Sequence, residues 1–575
     1  MVFLSVVPDS FYFVWQIELQ LYNFKKFGIG REDIHILIAA DEKYGLSIWF
    51  TEFVEQNRND ASFYIYSRPV DQFKYQPSIR PHLLKQHFDR LPWLQKEVIF
   101  YHDSDIIFRE LPDFDSLSRG DEWYVADCRS YMDSGYIKGK GSGIFDEMCS
   151  LLDIDPALVE KNDIHTGGAQ YILKGVSAGF WESMEKDCER LYPFLQSQEM
   201  AAATGSKGIQ SWCTDMWVLF WTGLKMGKTI RISQELNFCW AGDPIGKYAT
   251  VKIFHNSGAG VLGDADQPAI FNKALFTAHS PYYFSKEQYS KERCAYEFVQ
   301  LIQEFEDTRI KEDLQDVTFL MPVYIDSADR LLNLEITARY LHKYFKTRII
   351  IVEAGKVPKV SPSLLPPNAE YRFIEDEGLY FHRTRYNNLM VKLSSTKYVA
   401  LYDVDVILPP SQIIGAVRAL REEKAYISYP YSGTFYSTTV WVKDLFRMTL
   451  DHSILARFTD NYPCGTKRSL GGCVFLERAT FIANGGENEY LTSWGPDDVE
   501  RAARYKILGY RIHRTPGDLY HLPHERGVNS DYHQSTYHKL MREYLFVCSR
   551  SKTELFQYIQ SWDFYGSKDN YSSAV

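Results

Sequence analysis

Two apolar stretches that each run into a pair of aspartates constrain this chain most. The stretch at 98–108 reads VIFYHDSDIIF, and the stretch at 397–408 reads KYVALYDVDVIL. Short apolar runs rich in β-branched and aromatic residues are typical of buried strands. Carboxylates are costly in such surroundings unless a partner compensates their charge. The fold must therefore accommodate two carboxylates at the end of a buried strand, and must do so twice.

The segments around these stretches alternate between strand-like and helix-like patterns. Strand candidates precede the aspartate pairs at 2–7, 33–40 and 62–67, and again at 317–324, 347–354 and 369–376. Helical periodicity lies between them, for example at 13–28 and 328–345. This alternation predicts an open, mainly parallel α/β sheet in each half. The same order of segments in both halves predicts an architectural repeat.

The length of 575 residues predicts more than one domain. We expect a first α/β domain over 1–290, a helical linker over 291–315 and a second α/β domain over 316–545. A C-terminal helix and polar tail would follow over 546–575. The linker prediction rests on a charged, helix-like segment at 290–315.

Composition excludes several classes of protein. Net charge is −10 with no long basic block, which argues against nucleic-acid binding. The nine cysteines form no C-x-x-C pair, which argues against a disulfide scaffold and favours a reducing compartment. No apolar window has the length of a membrane-spanning helix, and the first residues lack the basic segment of a signal peptide. We therefore expect a cytoplasmic protein without a transmembrane helix, and peripheral membrane association stays open.

The aspartate pairs predict metal chemistry. Ligands of open α/β sheets bind beyond the carboxyl ends of the strands, where Asp103 with Asp105 and Asp403 with Asp405 would lie. Alternation along a strand sends both members of each pair to the same side, and they repel unless a cation lies between them. Mn²⁺ or Mg²⁺ prefers oxygen ligands and usually retains substrate phosphates. The predicted ligand set is carboxylate, metal and diphosphate.

The first half offers further candidates, each with a structural alternative. His255 follows an apolar run in TVKIFHNSG and is a candidate metal ligand, or a structural histidine. Gly167 and Gly168, in DIHTGGAQYILKG, would let backbone approach a ligand closely, or simply form a turn.

Two charged residues of the first half are also candidates. Asp215 lies among aromatic residues in SWCTDMWVLFW and is a candidate for contacting sugar hydroxyls and for a catalytic residue of this half, with a helix cap as the alternative. Arg80, in SIRPHLLKQHF, is a candidate for contacting phosphate, or part of a solvated helix face.

The second half has more distinctive motifs. In LTSWGPDDVERAARYKILGYRIHR, an aromatic turn at Trp494 precedes Asp497 and Asp498 at a helix start. Carboxylates there are often only partners of the helix dipole, yet the turn before them indicates a shaped pocket. The segment FHRTRYNN supplies Arg383 for a diphosphate, and LYHLPHERG supplies two histidines.

These motifs resemble the β-1,4-galactosyltransferases and the chondroitin-polymerase type of family-2 glycosyltransferases, in the same order along 322–527. The resemblance implies the GT-A nucleotide-sugar fold, a Mn²⁺ ion and a UDP-sugar donor. By it, Asp498 would be the inverting base, and Trp494 and Asp497 would bind the acceptor. The implied metal ligands are Asp405 and His524, and His521 of LYHLPHERG is a further candidate ligand. The implied nucleotide-sugar positions are Pro322, Tyr324, Glu353, Arg383 and Asp403.

The first half resembles more loosely the retaining enzymes related to hydroxyproline arabinosyltransferases and peptidyl-serine galactosyltransferases. The matching pieces include YHDSDIIFREL, GGAQYILKG and KIFHNSG. The resemblance implies that Asp103, Asp105 and His255 hold the metal. Together with the residue arguments above, it predicts a nucleotide-sugar site at Arg80, Asp103, Gly167 and Gly168.

The sequence therefore predicts a bifunctional, metal-dependent glycosyltransferase that transfers sugars from UDP-sugars to a glycan acceptor, as in polysaccharide biosynthesis. One active domain beside a degenerate glycan-binding domain is the alternative. A nucleotidyltransferase is disfavoured because the amino-terminal region lacks a glycine-rich triphosphate loop with a lysine.

Overall fold

The computed structural model describes residues 1–68, 75–201, 208–257, 269–282, 286, 289–525, 527 and 533–562. The predicted tail beyond 562 lies outside these residues. The chain divides into two compact units, one formed by Met1–Pro281 with Lys286–Thr308 and the other mainly by Arg309–Val575. The helix within the predicted linker, Ala295–Thr308, belongs to the first unit. The predicted domain bounds themselves stay a prediction.

The described part of the first unit contains one large and one small sheet. The large sheet has seven strands in the order β3-β2-β1-β4-β7-β6-β8, and only β7 runs antiparallel to its neighbours. The small sheet has the order β5-β10-β9. The strands are β1 Val2–Pro8, β2 Ile34–Asp41, β3 Ser62–Arg68, β4 Val98–Tyr101, β5 Ile106–Phe108, β6 Trp123–Asp127, β7 Gly167–Lys174, β8 Ile230–Ile232, β9 Phe238–Trp240 and β10 Ile253–His255.

Helices cover the large sheet of the first unit. Its central strands carry apolar residues on both faces, as the buried Ile36, Leu37 and Ile38 on β2 illustrate, because both faces are covered. The helices are α1 Phe11–Lys26, α2 Ile48–Gln56, α3 Ile79–Arg90, α4 Phe114–Leu117, α5 Arg129–Met132, α6 Ser134–Lys138, α7 Ile144–Leu151, α8 Pro156–Lys161, α9 Ala178–Ala201, α10 Thr214–Lys225, α11 Ile245–Tyr248 and α12 Ala295–Thr308.

The described part of the second unit repeats this arrangement. Its large sheet has the order β13-β12-β11-β14-β19-β16-β20, with β19 antiparallel to its neighbours, and its small sheet has the order β15-β21-β17-β18. The strands are β11 Glu312–Val323, β12 Phe345–Gly355, β13 Ala369–Glu375, β14 Tyr398–Tyr402, β15 Val406–Ile407, β16 Ile427–Tyr429, β17 Phe435–Ser437, β18 Cys464–Thr466, β19 Cys473–Glu477, β20 Ile512–Arg514 and β21 Leu519–His521.

The helices of the second unit again lie between the strands, with two more after the last strand. They are α13 Ala328–Tyr344, α14 Arg383–Leu393, α15 Pro410–Arg421, α16 Val440–Thr449, α17 His452–Arg457, α18 Arg478–Ala483, α19 Asp497–Leu508, α20 Gln534–Cys548 and α21 Lys552–Gln560. Within the described ranges, no helix has the length and hydropathy needed to cross a membrane.

The predicted α/β class is confirmed by these sheets. In both units the fourth strand pairs with the first, so each Asp-x-Asp motif leaves the centre of a mainly parallel sheet. A two- or three-residue strand follows each motif and pairs antiparallel with a strand that ends in histidine. Ile106 and Val406 directly follow the two Asp-x-Asp motifs. Ile106 pairs with His255, and Val406 pairs with His521.

Candidate functional site

The first cluster joins the aspartates after β4 to the end of β10. His255 Nε2 lies 3.6 Å from Asp103 Oδ2 and 3.4 Å from Asp105 Oδ1. One ligand atom from each of the three residues lies within 4.8 Å of the others. Oxygen and imidazole donors at this spacing suit a divalent metal ion such as Mn²⁺. The residues predicted as the metal ligands of this half are therefore neighbours in space.

Two cations neutralise these carboxylates. Lys273 Nζ donates to Asp105, and although burial opposes it, Lys273 and His255 hold the pKa of Asp105 well below its usual range. Arg80 on α3 donates to Asp103 Oδ1 at 2.8 Å and to Asp215 Oδ2 at 3.0 Å. The guanidinium of Arg80 is thus engaged by carboxylates, although the sequence predicted a phosphate contact.

Asp215 lies in the first turn of α10 but is not its cap, because the N-cap residue is Cys213; its catalytic role stays a prediction. Its carboxylate is 7% exposed and accepts a hydrogen bond from Tyr75 at 2.8 Å as well as the Arg80 contact. Burial raises the pKa of Asp215, and Arg80 opposes that shift. The side chain is therefore a buried, fully hydrogen-bonded acid behind Asp103.

A cavity of about 320 Å³ lies over the first cluster. Its lining includes Tyr12, Arg80, Trp212, Trp240 and Lys273, together with the three candidate metal ligands. A smaller cavity of about 130 Å³ reaches Asp215. Aromatic side chains beside charged groups form a lining that suits a nucleotide or a sugar.

The predicted glycines do not line these cavities, although their neighbour Ala169 does. A Cβ atom at Gly167 would lie 2.2 Å from the Ala126 carbonyl oxygen, and one at Gly168 would lie 2.5 Å from Met216 Cε. The requirement for glycine here comes from close packing within the unit.

The second cluster has the same construction. Asp405 lies between β14 and β15, with Oδ1 3.6 Å from His521 Nε2 and Oδ2 3.2 Å from His524 Nε2. Burial would raise the pKa of Asp405, but His521, His524 and Arg330 hold it well below its usual range. Arg330 Nη1 lies 3.3 Å from Asp405 Oδ2. It corresponds to Lys273, the cation that contacts the second aspartate of the motif in the first unit.

The first aspartate of the second motif has a different partner. Arg383 at the start of α14 donates to Asp403 Oδ1 at 2.8 Å and to Asp497 Oδ2 at 2.7 Å. Its Nη1 also lies 3.5 Å from Asp498 Oδ2. Asp403 therefore contacts Arg383, whereas Asp405 contacts Arg330 and the two histidines.

Asp497 and Asp498 begin α19 and have opposite electrostatic environments. Burial and the adjacent Asp498 raise the pKa of Asp497 to about 7. Burial also acts on Asp498, but Arg383 and Arg501 outweigh it and hold the pKa of Asp498 below its usual value. Two adjacent carboxyl groups with separated pKa values can divide the roles of proton holder and base.

A cavity of about 530 Å³ lies over the second cluster. Most of the residues that the sequence predicted for this half line it: Pro322, Tyr324, Arg383, Asp403, Asp405, Trp494, Asp497, Asp498, His521 and His524. Trp494 is 54% exposed, so its ring is open to a second ligand. Glu353 is not among the lining residues. It is buried on β12, where it accepts hydrogen bonds from Tyr371 and from the Lys359 and Val360 amides.

The two sites share one arrangement of charge. In each, an arginine on the helix before the Asp-x-Asp strand joins the first aspartate of the motif to an aspartate in the first turn of a later helix. The sets are Arg80, Asp103 and Asp215 in the first unit and Arg383, Asp403 and Asp497 in the second. The next residue differs, because Met216 follows Asp215 where Asp498 follows Asp497.

Sequence reasoning missed several residues of these sites. Lys273 and Arg330 gave no local signal, since a lone basic residue near a helix start is usually solvated. Gln170 Nε2 lies 3.3 Å from His255 Nδ1, and its position in GGAQYILKG showed only an apolar strand. Arg501 and Glu487 are a buried ion pair that only the fold brings together.

Comparisons with known proteins give partial matches. No protein-family model matches the chain, and no curated protein matches it. The catalytic domain of Drosophila beta1,4galactosyltransferase 7 in complex with xylobiose is 14% identical, with a TM-score of 0.20 over 35% of this chain and 64% of that chain. GalNAc-T7 with UDP, GalNAc and Mn²⁺ is 10% identical, with a TM-score of 0.28 over 45% of this chain and 52% of that chain.

A third solved structure is glucosyl-3-phosphoglycerate synthase from Mycobacterium tuberculosis in complex with Mn²⁺, UDP and phosphoglyceric acid. It is 14% identical, with a TM-score of 0.25 over 44% of this chain and 80% of that chain. The chain spans less than two thirds of the galactosyltransferase and GalNAc-T7 structures. All three TM-scores are low.

Proposed function

We propose that the chain is a bifunctional, metal-dependent glycosyltransferase with two GT-A units, each taking its sugar from a UDP-sugar. The observation that carries the proposal is the duplicated cluster of carboxylate and imidazole at the carboxyl edge of a mainly parallel sheet, each under a cavity. Ligands of open α/β sheets bind at this edge. The acceptor is a glycan, and two donor sites in one chain suit a polymer that alternates two sugars.

The residues present fit a divalent ion in each unit. Asp103, Asp105 and His255 would hold it in the first, and Asp405, His521 and His524 in the second. A bound Mn²⁺ would neutralise charge on the diphosphate leaving group. Lys273 contacts Asp105 and Arg330 contacts Asp405, and these cations would add positive charge for a diphosphate at each site.

The second unit would invert the anomeric carbon with Asp498 as base. The acceptor oxygen forms a bond to the anomeric carbon as the bond to the UDP oxygen breaks, and the acceptor proton goes to Asp498. Asp498 is ionised at neutral pH, because Arg383 and Arg501 hold its pKa below the usual value, and it can therefore accept the proton. Trp494 is exposed beside it, and an indole face is a good platform for a sugar ring.

The second candidate function is one active transferase unit beside a glycan-binding unit. The observation that favours it is Met216, because the thioether occupies the helix position that corresponds to Asp498 and cannot accept a proton from an acceptor hydroxyl. The first unit would then be the glycan-binding module.

Separate variants distinguish these functions. We expect Asp105→Ala and Asp405→Ala each to abolish transfer from a different member of a UDP-sugar panel with Mn²⁺, measured by mass spectrometry of the products. The matched controls are Asp60→Ala and Asp316→Ala, which remove aspartates at exposed ion pairs. Loss of one and the same transfer in both variants would instead support one active unit, and full activity in both would refute the proposal.

A further inference from the structure

A buried ion pair stands behind Asp498. Arg501 lies one turn further along α19, on the same helix face, and its Nη2 donates to Asp498 Oδ1. Its Nη1 donates to both carboxylate oxygens of Glu487 at 2.9 Å each. The side chains of Arg501 and Glu487 are each 1% exposed.

Because Arg501 and Glu487 are both buried, breaking their ion pair would cost much free energy. A buried guanidinium that lost its carboxylate partners would be strongly destabilising, so Arg501 cannot turn to solvent or to a diphosphate. Arg383, the other cation at Asp498, lines the cavity and already divides its donors among three carboxylates. A diphosphate would compete for Arg383, whereas Arg501 would keep its contact with Asp498.

Arg501 also distinguishes two adjacent acids. It contacts Asp498, while the described contact of Asp497 with a cation is to Arg383. Two neighbouring carboxylates repel, so a cation fixed to one of them leaves the proton on the other. The raised pKa of Asp497, about 7, and the lowered pKa of Asp498 agree with this division.

The space around Oδ2 of Asp498 also favours Asp498 over Asp497 as the base. A Cβ atom at Gly471 would lie 2.8 Å from Asp498 Oδ2, so the glycine leaves room for that oxygen at the cavity wall. Oδ1 accepts a hydrogen bond from Arg501, whereas Oδ2 lies beside Gly471 of the cavity lining and 3.5 Å from Arg383 Nη1. The other titratable groups that interact with this carboxyl are Arg383, Asp403, Asp497, Tyr429 and Tyr431.

We propose that Arg501, fixed by Glu487, is a positioning residue that selects Asp498 rather than Asp497 as the ionised carboxylate and holds its Oδ1, so that Oδ2 remains at the cavity wall beside Arg383. The inference rests on the proposed role of Asp498 as base. It adds two residues to the second site that do not touch a substrate, and it gives Asp497 the role of the proton holder.

Carbon-13 NMR of aspartate carboxyl groups tests the proposal without any substrate. The variant is Arg501→Met with Glu487→Gln, because removing both charges avoids an unpaired buried ion that would prevent folding. We expect the pKa of Asp498 to rise by about 1–3 units and that of Asp497 to fall. Asp498→Asn identifies the resonance. In transfer assays, the acidic limb of the pH–rate profile should shift upward with Asp498.

The matched control is Arg504→Met with Glu500→Gln. Arg504 and Glu500 form an ion pair on the same helix with equal burial, but Arg504 contacts Glu500 and the Asn484 and Gly486 carbonyls rather than Asp498. The control should lose stability and leave the Asp498 titration unchanged. An unchanged titration in the Arg501 variant, or an equal shift in both variants, would overturn the inference. If Asp498→Asn kept full transfer, the proposed function would fail instead.

Discussion

At the scale of single residues, arginines determine how charge is distributed in each site. Arg80 and Arg383 were predicted to meet phosphate, and in the structure each bridges carboxylates. A guanidinium offers several donors in a fixed plane, so one arginine can hold two acids at a set spacing. The carboxylates beside the cavities are therefore positioned before any ligand binds.

Asp497 provides a residue-scale prediction about pH. Its pKa is about 7 in the folded protein, whereas an aspartate in an unfolded chain titrates near pH 4. Between these values the folded protein holds a proton that the unfolded chain releases, so this residue lowers stability as the pH rises from about 4 to 7. Asp497→Asn removes the effect and should become more stable relative to the parent across that window, by up to about 4 kcal/mol.

Urea unfolding of both proteins at pH 5 and pH 8 measures this difference. The gain of the variant should be larger at pH 8. Asp60→Asn, at an exposed ion pair, is the control and should change little with pH. Parallel stability curves for Asp497→Asn and the parent would contradict the assigned pKa.

Local pattern explains which site residues could be predicted from the sequence. Both Asp-x-Asp motifs end apolar runs, and His255 and His521 each end a short apolar strand, so a pattern marked all of them. Lys273 is 168 residues from Asp105, and no rule of spacing joins them. Glu353 and Gly167 do not line the cavities, and hydrogen bonds hold Glu353 while close packing surrounds Gly167; their place near the nucleotide stays a prediction.

At the scale of elements, α19 carries the two acids and is held by the C-terminal helices. Leu508 of α19 packs with Val547, Leu555, Ile559 and Trp562 in a separate apolar cluster. Trp562 is 4% exposed, and the Arg504 guanidinium lies 5.1 Å from its ring. The segment after α21 therefore supports the helix that positions Asp498.

Trp562→Ala should loosen α19. Removing a buried tryptophan costs about 3–5 kcal/mol, which corresponds to at least about a hundredfold loss of protection for amides that exchange through unfolding of this unit. Hydrogen exchange of α19 measures it. The control is Phe556→Ala on α21, because Phe556 is 45% exposed and its loss should change stability by no more than about 0.5 kcal/mol. Equal protection in the two variants would contradict the role given to this cluster.

Element prediction succeeded where patterns were long. The alternation of apolar strands and helices predicted β1 to β4 and β11 to β14 and, with them, the parallel core. The antiparallel β7 and β19 and the short strands β5 and β15 could not be predicted, because two to eight apolar residues do not specify a partner or a direction. The pairings of β5 with β10 and of β15 with β21 place His255 and His521 beside the aspartates.

At the scale of the whole molecule, the large sheets of both units have the same strand order. In each unit, the Asp-x-Asp motif and a histidine form a cluster after the fourth strand. The correspondence includes the arginine that contacts two aspartates in each unit. It ends at the next residue of the later helix, which is Met216 in the first unit and Asp498 in the second. The two units therefore share what would bind a metal and a diphosphate, and differ where an acceptor would be deprotonated. Duplication of the donor site is the central claim.

The number of Mn²⁺ ions bound per chain in the presence of UDP tests that claim most directly. Titration followed by electron paramagnetic resonance should give two ions per chain for the parent. Asp105→Ala and Asp405→Ala should each give one ion, and the double variant none. A parent that binds one ion or none, or single variants that keep two, would contradict the duplicated site.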